Sequence, residues 1–112
     1  MSRIKGRKSK YLKGLENDPY WQEVRRKIKL RDNFTCQATG KRINLSVHHI
    51  TYFVRVNGQK IDIRGRELEF LEWLILLNQE FHNYVHSNNS HALNPKNAEK
   101  INAIEFKKLN PL

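Results

Sequence analysis

The sequence predicts an α+β fold on three observations: a capped amphipathic helix after Asp18, a β-hairpin closed by Asn57-Gly58, and a second helical segment carrying His82 and His86. Its 112 residues suit one domain, and an apolar content of 38% suffices for a packed core. The expected organisation is a basic flexible arm over residues 1–15 followed by a single domain over 16–112.

The elements follow in order. Met1 to Leu15 carry Arg3, Lys5, Arg7, Lys8, Lys10 and Lys13 without one acid. A block of that kind stays solvated and orders on a phosphate backbone. Asp18-Pro19 reads as a helix start, with Asp as the cap and Pro at the first helical position. The next residues place Trp21, Val24 and Ile28 on one face, leaving Arg25, Arg26, Lys27 and Lys29 for the other. Thr39-Gly40 marks a tight turn between two short extended pieces within Cys36 to Arg42. Leu45 to Tyr52 is rich in β-formers and embeds His48 and His49. A hairpin runs from Phe53 to Val56, turns at Asn57-Gly58, and returns over Lys60 to Ile63, because an Asn-Gly pair tolerates the positive φ that such turns need.

Arg66 to His86 is ambiguous. One long helix fits it, and so does a short helix, a strand at Leu74 to Leu77 and a helix from Gln79. Trp73 to Leu77 is apolar on every side, so periodicity does not choose. Asn94-Pro95 breaks the chain, and Pro95 to Lys108 predicts a terminal helix using Ile101, Ile104 and Phe106.

A net charge of +10 favours polyanions, which makes nucleic acid the leading partner over an acidic protein. No stretch is apolar for long enough to span a bilayer, and the N-terminus lacks the apolar run of a signal peptide, so a cytoplasmic protein with no membrane role is expected. The single cysteine, Cys36, excludes an internal disulfide and an all-cysteine metal site.

His82 and His86 stand one helical turn apart on one face, a spacing that lets two imidazoles meet one ion. His48 and His49 are adjacent in a strand, so their rings point to opposite faces unless the strand bends. Two roles are then natural, one ring joining a metal and the other addressing a substrate. An unperturbed pKa of about 6.5 suits imidazole to both.

The run RRKIKLRDNFTCQATGKRINLSVHHITY, followed by LILLNQEFHNYVH, resembles the HNH, or ββα-metal, nuclease family. The likeness covers roughly Tyr20 to His86, with a core motif over 32–86. It rests on the order of Arg31-Asp32 then Cys36, the strand ending in His48-His49, and the helix with His82 and His86. The resemblance implies His48, His82 and His86 as ligands of one divalent ion (Mg²⁺, Mn²⁺, Ni²⁺ or Zn²⁺) and His49 as general base. It further implies cleavage or nicking of double-stranded DNA to leave a 5′-phosphate and a 3′-hydroxyl. Arg25, Arg26, Lys29 and the arm would bind the DNA backbone.

Two positions depart from the family pattern. Members with a structural zinc carry two Cys-x2-Cys pairs. Here Thr39 follows Cys36, while Asn78 and Phe81 occupy the other pair, so no structural zinc is expected and packing by Cys36, Leu77 and Phe81 replaces it. Small phage relatives resemble this version, which would place the protein in a host cytoplasm. Trp73 stands where the family usually has Asn, a residue that holds the loop bearing the base. The alternative reading is therefore a catalytically degenerate DNA-binding protein, or an adaptor for phage packaging machinery. Glu67, Glu69 and Glu72 are expected on a solvated face, Asn88 and Asn89 in a helix-ending turn, and His91 exposed.

Overall fold

The computed structural model describes residues 18–112, an α+β arrangement of three α-helices and two two-stranded antiparallel sheets. The arm residues Arg3, Lys5, Arg7, Lys8, Lys10 and Lys13 lie outside the described residues.

Helix α1 spans Pro19–Arg31 and begins where the sequence predicts, with the Asp18 carboxylate accepting the Tyr20 N–H at 2.9 Å and Pro at the first turn. Val24 and Ile28 are fully buried, one helical turn apart. Past the helix, Cys36 to Arg42 forms a turn in which Gly40, at φ 80°, donates its N–H to the Cys36 carbonyl. The extended pieces expected beside that turn do not become strands: the Cys36 N–H meets the Lys41 carbonyl across the turn, but the next N–H, of Gln37, goes to the Leu76 carbonyl instead.

Strand β1, Leu45–His49, pairs antiparallel with β4, Leu74–Asn78, placing His48 opposite Ile75 and His49 opposite Leu74. Every residue of β4 is buried. Ile75 and Leu77 join Cys36, Ile50, Val85 and Leu93 on one side, whereas Leu74 and Leu76 meet Val24 and Ile28 on the other. That double burial is why Trp73 to Leu77 shows no periodicity, and it selects the second alternative, with short 3₁₀ turns at Glu67–Glu69 and Leu71–Trp73 ahead of the strand. Cys36, Leu77 and Phe81 pack in one cluster, as expected.

The hairpin of β2, Phe53–Val56, and β3, Gln59–Asp62, closes through Asn57 and Gly58, both at positive φ. Its second strand starts one residue earlier than predicted. Helix α2, Gln79–His86, starts at Asn78, whose side chain accepts the Glu80 N–H at 3.0 Å.

The terminal helix is shorter than predicted: α3 covers only Ala103–Leu109. Asparagines explain the difference. Asn94 donates to the Val85 and Asn88 carbonyls and accepts from the Lys96 N–H, and Asn97 does the same for Ser90, His91 and Glu99. Asn97 takes the Glu99 N–H that a helix from Pro95 would direct to the Pro95 carbonyl, so residues 95–102 turn instead. Asn102 then caps α3 through the Glu105 N–H.

One buried carboxylate ties α1, β4 and α3 together. Asp32 is bound by the Arg31 guanidinium at 2.8 Å and by Lys107, and it accepts the Leu76 N–H at 3.0 Å. Arg31 also donates to the Leu71 and Leu74 carbonyls. Removing one partner of such a group strands the others, so Asp32→Ala is expected to cost about 3 kcal/mol in a denaturant titration. A loss below about 1 kcal/mol, the scale of a surface pair, would contradict this role.

Candidate metal centre

Alternation along β1 sends His48 and Ile50 to the side covered by α2, and Val47 and His49 to the side covered by α1. His48 is 1% exposed. Its Nε2 lies 2.6 Å from the Leu93 carbonyl oxygen, which can only accept, so Nε2 carries the proton. The lone pair is thereby left on Nδ1, the one buried side-chain polar atom among the described residues without a hydrogen-bond partner. An unpaired buried acceptor ordinarily costs about 1–3 kcal/mol.

The His48 ring is packed edge-on against the two helical histidines, with centroids 4.9 Å from His82 and 5.1 Å from His86. Successive turns of α2 bring the Nε2 atoms of His82 and His86 to 3.0 Å from one another. That contact is a hydrogen bond between the two rings, so one of these nitrogens carries a proton that a bound ion would displace. His82 Nδ1 is hydrogen-bonded to Ser46 Oγ at 2.9 Å, which orients the ring with Nε2 toward the cluster. One ligand atom from each of His48, His82 and His86 lies within 4.8 Å of the others, so this cluster could hold a metal ion.

Burial, with smaller contributions from the neighbouring histidines, lowers the His48 pKa to about 3 against a raising effect of the Leu93 hydrogen bond. Burial first, then the charges of His86 and His49, lowers that of His82 to about 4. Both rings are neutral at physiological pH, the state that ligation requires. The donor set is all imidazole, which suits later first-row divalent ions, and three protein ligands leave positions open for exogenous ones.

His49 belongs to the other face. Its ring stacks on Trp21 at 5.5 Å and lies tilted against Tyr52 at 5.2 Å, and its Nε2 is 2.9 Å from Glu67 Oε2. The solvated face expected for Glu67 is corrected here, since this residue is only 2% exposed. Burial pushes its carboxyl up, but hydrogen bonds from His49 and from the backbone, including Gly65, outweigh this and hold it below the usual carboxylate range. Glu69 is exposed and paired with Arg66, and no carboxylate joins the three histidines among the described residues.

His91 is also corrected. It is half-buried rather than exposed, packs edge-on to Phe81 and Tyr84, and accepts the Leu93 N–H on Nδ1 at 3.1 Å. It therefore helps to place the carbonyl that fixes His48. Asn88 does form the helix-ending turn, with its side chain accepting the Ser90 N–H. At Trp73 the side chain packs on the core, and the backbone carbonyl accepts the Ile50 N–H at 2.8 Å, tethering the residue after the histidine pair. Arg25, Arg26 and Lys29 line an open groove of about 730 Å³ along α1, across the β1–β4 ribbon from the histidine cluster, and Arg26 is engaged with Glu23.

Sequence reasoning misses Ser46, Glu67 and the Leu93 carbonyl. Ser46 is findable, since it lies two residues before His48 and so shares its strand face. Nothing in the local pattern marks the other two.

Both lowered pKa values mean that folding excludes protons which the unfolded chain binds. The stability these rings contribute is complete above about pH 6.5 and lost progressively as pH falls toward their folded values. The unfolding midpoint in chelator should therefore drop steadily between about pH 6.5 and about pH 4. At about pH 7, Ni²⁺ or Zn²⁺ at about 100 times its Kd should stabilise the fold by about 2.7 kcal/mol, and His82→Ala should remove most of that gain. A midpoint indifferent to both pH and metal would refute the site.

Protein-family models, curated proteins and solved structures all return no match to this chain.

Proposed function

We propose that this chain is a metal-dependent DNA endonuclease or nickase of the HNH, ββα-metal type. The observation that carries the reading is the buried, unpaired Nδ1 of His48 facing His82 and His86 while its neighbour His49 is held by a carboxylate. The arrangement of β1, β4 and α2, two antiparallel strands leading into a helix with histidines on the first strand and the helix, supports it.

A divalent ion held by the three imidazoles would act as a Lewis acid toward the charge that develops on a scissile phosphate. The protein's own part is to keep those rings neutral and oriented through Leu93 and Ser46. His49 is the general base: its ring turns to the other face of the ribbon, yet at the last residue of β1 it stays near enough for its charge to act on His48 and His82. Because ionised Glu67 accepts the Nε2–H, the lone pair of His49 lies on Nδ1, and that atom takes the proton from the attacking water. The imidazolium so formed is stabilised by the same carboxylate, which also fixes the ring's tautomer. Trp73 lacks the side-chain tether of the family's Asn, and its backbone carbonyl accepts the Ile50 N–H as a continuation of the β1–β4 pairing.

A second reading, a DNA-binding relative without cleavage, is favoured by the enclosure of His49: its side chain is 12% exposed, stacked on Trp21 and tilted against Tyr52. Plasmid nicking over Mg²⁺, Mn²⁺, Ni²⁺ and Zn²⁺ separates the two. Wild type should cleave, and His49→Ala should lose about 10²–10⁴-fold while retaining metal and DNA affinity. Glu67→Gln should fall in between and alter the pH profile. Cleavage by His49→Ala equal to wild type would end the mechanism, and inert wild type with every ion would leave the binding protein.

A further inference from the structure

The hairpin β2–β3 has two unlike faces. Val54 and Ile61 are half-buried and turn toward the domain, whereas Phe53, Arg55, Lys60 and Asp62 share the outer face. Residues 53–66 carry Arg55, Lys60, Arg64 and Arg66 against one acid, Asp62. Arg55 and Lys60 are direct cross-strand partners. Their charged ends diverge, the Arg55 guanidinium donating to the Gly58 carbonyl at 3.0 Å and the Lys60 ammonium lying over Phe53, so each can meet its own phosphate.

Aromatic rings interleave with these cations. Phe53 is 42% exposed, with the Lys60 ammonium 4.4 Å and the Arg64 guanidinium 5.3 Å from its ring centre. Arg64 also lies 5.3 Å from the Tyr52 ring, which is tilted against His49. A continuous ladder of rings and cations thus leads from the base proposed above, out along the hairpin. Asp62 pairs with Arg64 and holds that guanidinium in place.

We propose that this face binds single-stranded DNA, with Phe53 as a platform for one base and Arg55 and Lys60 on the adjoining phosphates. The choice of single over double strand follows from Phe53. In a duplex, base faces are covered by their neighbours, so the part of the Phe53 ring that Lys60 and Arg64 leave exposed can stack on a base only where that base is unpaired. The inference rests on the nucleic-acid reading above but not on cleavage.

Binding of a fluorescent single-stranded oligonucleotide, and of the blunt duplex of the same sequence, is therefore measured by anisotropy in chelator, where no metal-dependent turnover occurs. Wild type should prefer the single strand. Phe53→Leu keeps the apolar bulk and removes the π face, and it should bind roughly 5- to 150-fold more weakly with an unchanged salt slope, while Phe53→Trp restores affinity. The double variant Arg55→Gln/Lys60→Gln should flatten the slope of log affinity against log salt by about 0.7 for each phosphate that is no longer neutralised, with no drop in unfolding midpoint. Equal binding of single strand and duplex, or variants indistinguishable from wild type, would overturn the proposal. Failure of plasmid cleavage with these results intact removes only the nuclease reading, and intact cleavage with flat binding results removes only this surface.

Discussion

Adjacent residues of a strand cannot share a face, and the site follows from that constraint on His48 and His49. The β1–β4 ribbon is two strands wide and covered on both sides, so each histidine enters a different environment. One meets α2 and its pair of imidazoles. The other meets the Trp21 ring and the Glu67 carboxylate. A slip of one residue in the register would exchange these environments and place the wrong ring in each. The complete burial of β4 forbids that slip, since both of its faces are committed to packing.

Fixing a strand does not fix a tautomer, and the metal reading depends on one. The Leu93 carbonyl sets it by claiming Nε2 of His48, which leaves Nδ1 unpaired in the core. The carbonyl is itself positioned by the turns after α2, where His91, Asn94 and Asn97 hold the backbone in a network of side-chain hydrogen bonds. A segment that looks like a mere connection is thus the support of the buried His48 ring. Asp32 plays the corresponding part on the opposite side, joining α1 to β4 and α3 so that the ribbon has a fixed backing.

Much of this is legible in the amino-acid sequence. The cap at Asp18, the Asn-Gly hairpin and the one-turn spacing of His82 and His86 are local signals, and each produces the element or face expected of it. The strand at Leu74 is not legible, because a segment buried on two faces carries no period. The last helix is overextended by apolar spacing at Ile101 and Ile104, which outweighs asparagines that compete for backbone. Ile104 is in fact 52% exposed. Glu67 is misplaced for a different reason: a carboxylate beside two other acids reads as solvent-facing, and only the tertiary fold brings it under His49.

The metal centre depends on the protonation and ligation pattern of His48, and long-range ¹H–¹⁵N spectra of the imidazole nitrogens observe that pattern directly. In chelator, His48 should be the neutral Nε2–H tautomer. On titration with Zn²⁺, His48 Nδ1 and the Nε2 atoms of His82 and His86 should move together to ligand-like shifts and saturate at a single equivalent, with His49 and His91 keeping their nitrogen pattern. His48 protonated on Nδ1, or unmoved while His82 and His86 respond, would contradict the three-histidine centre.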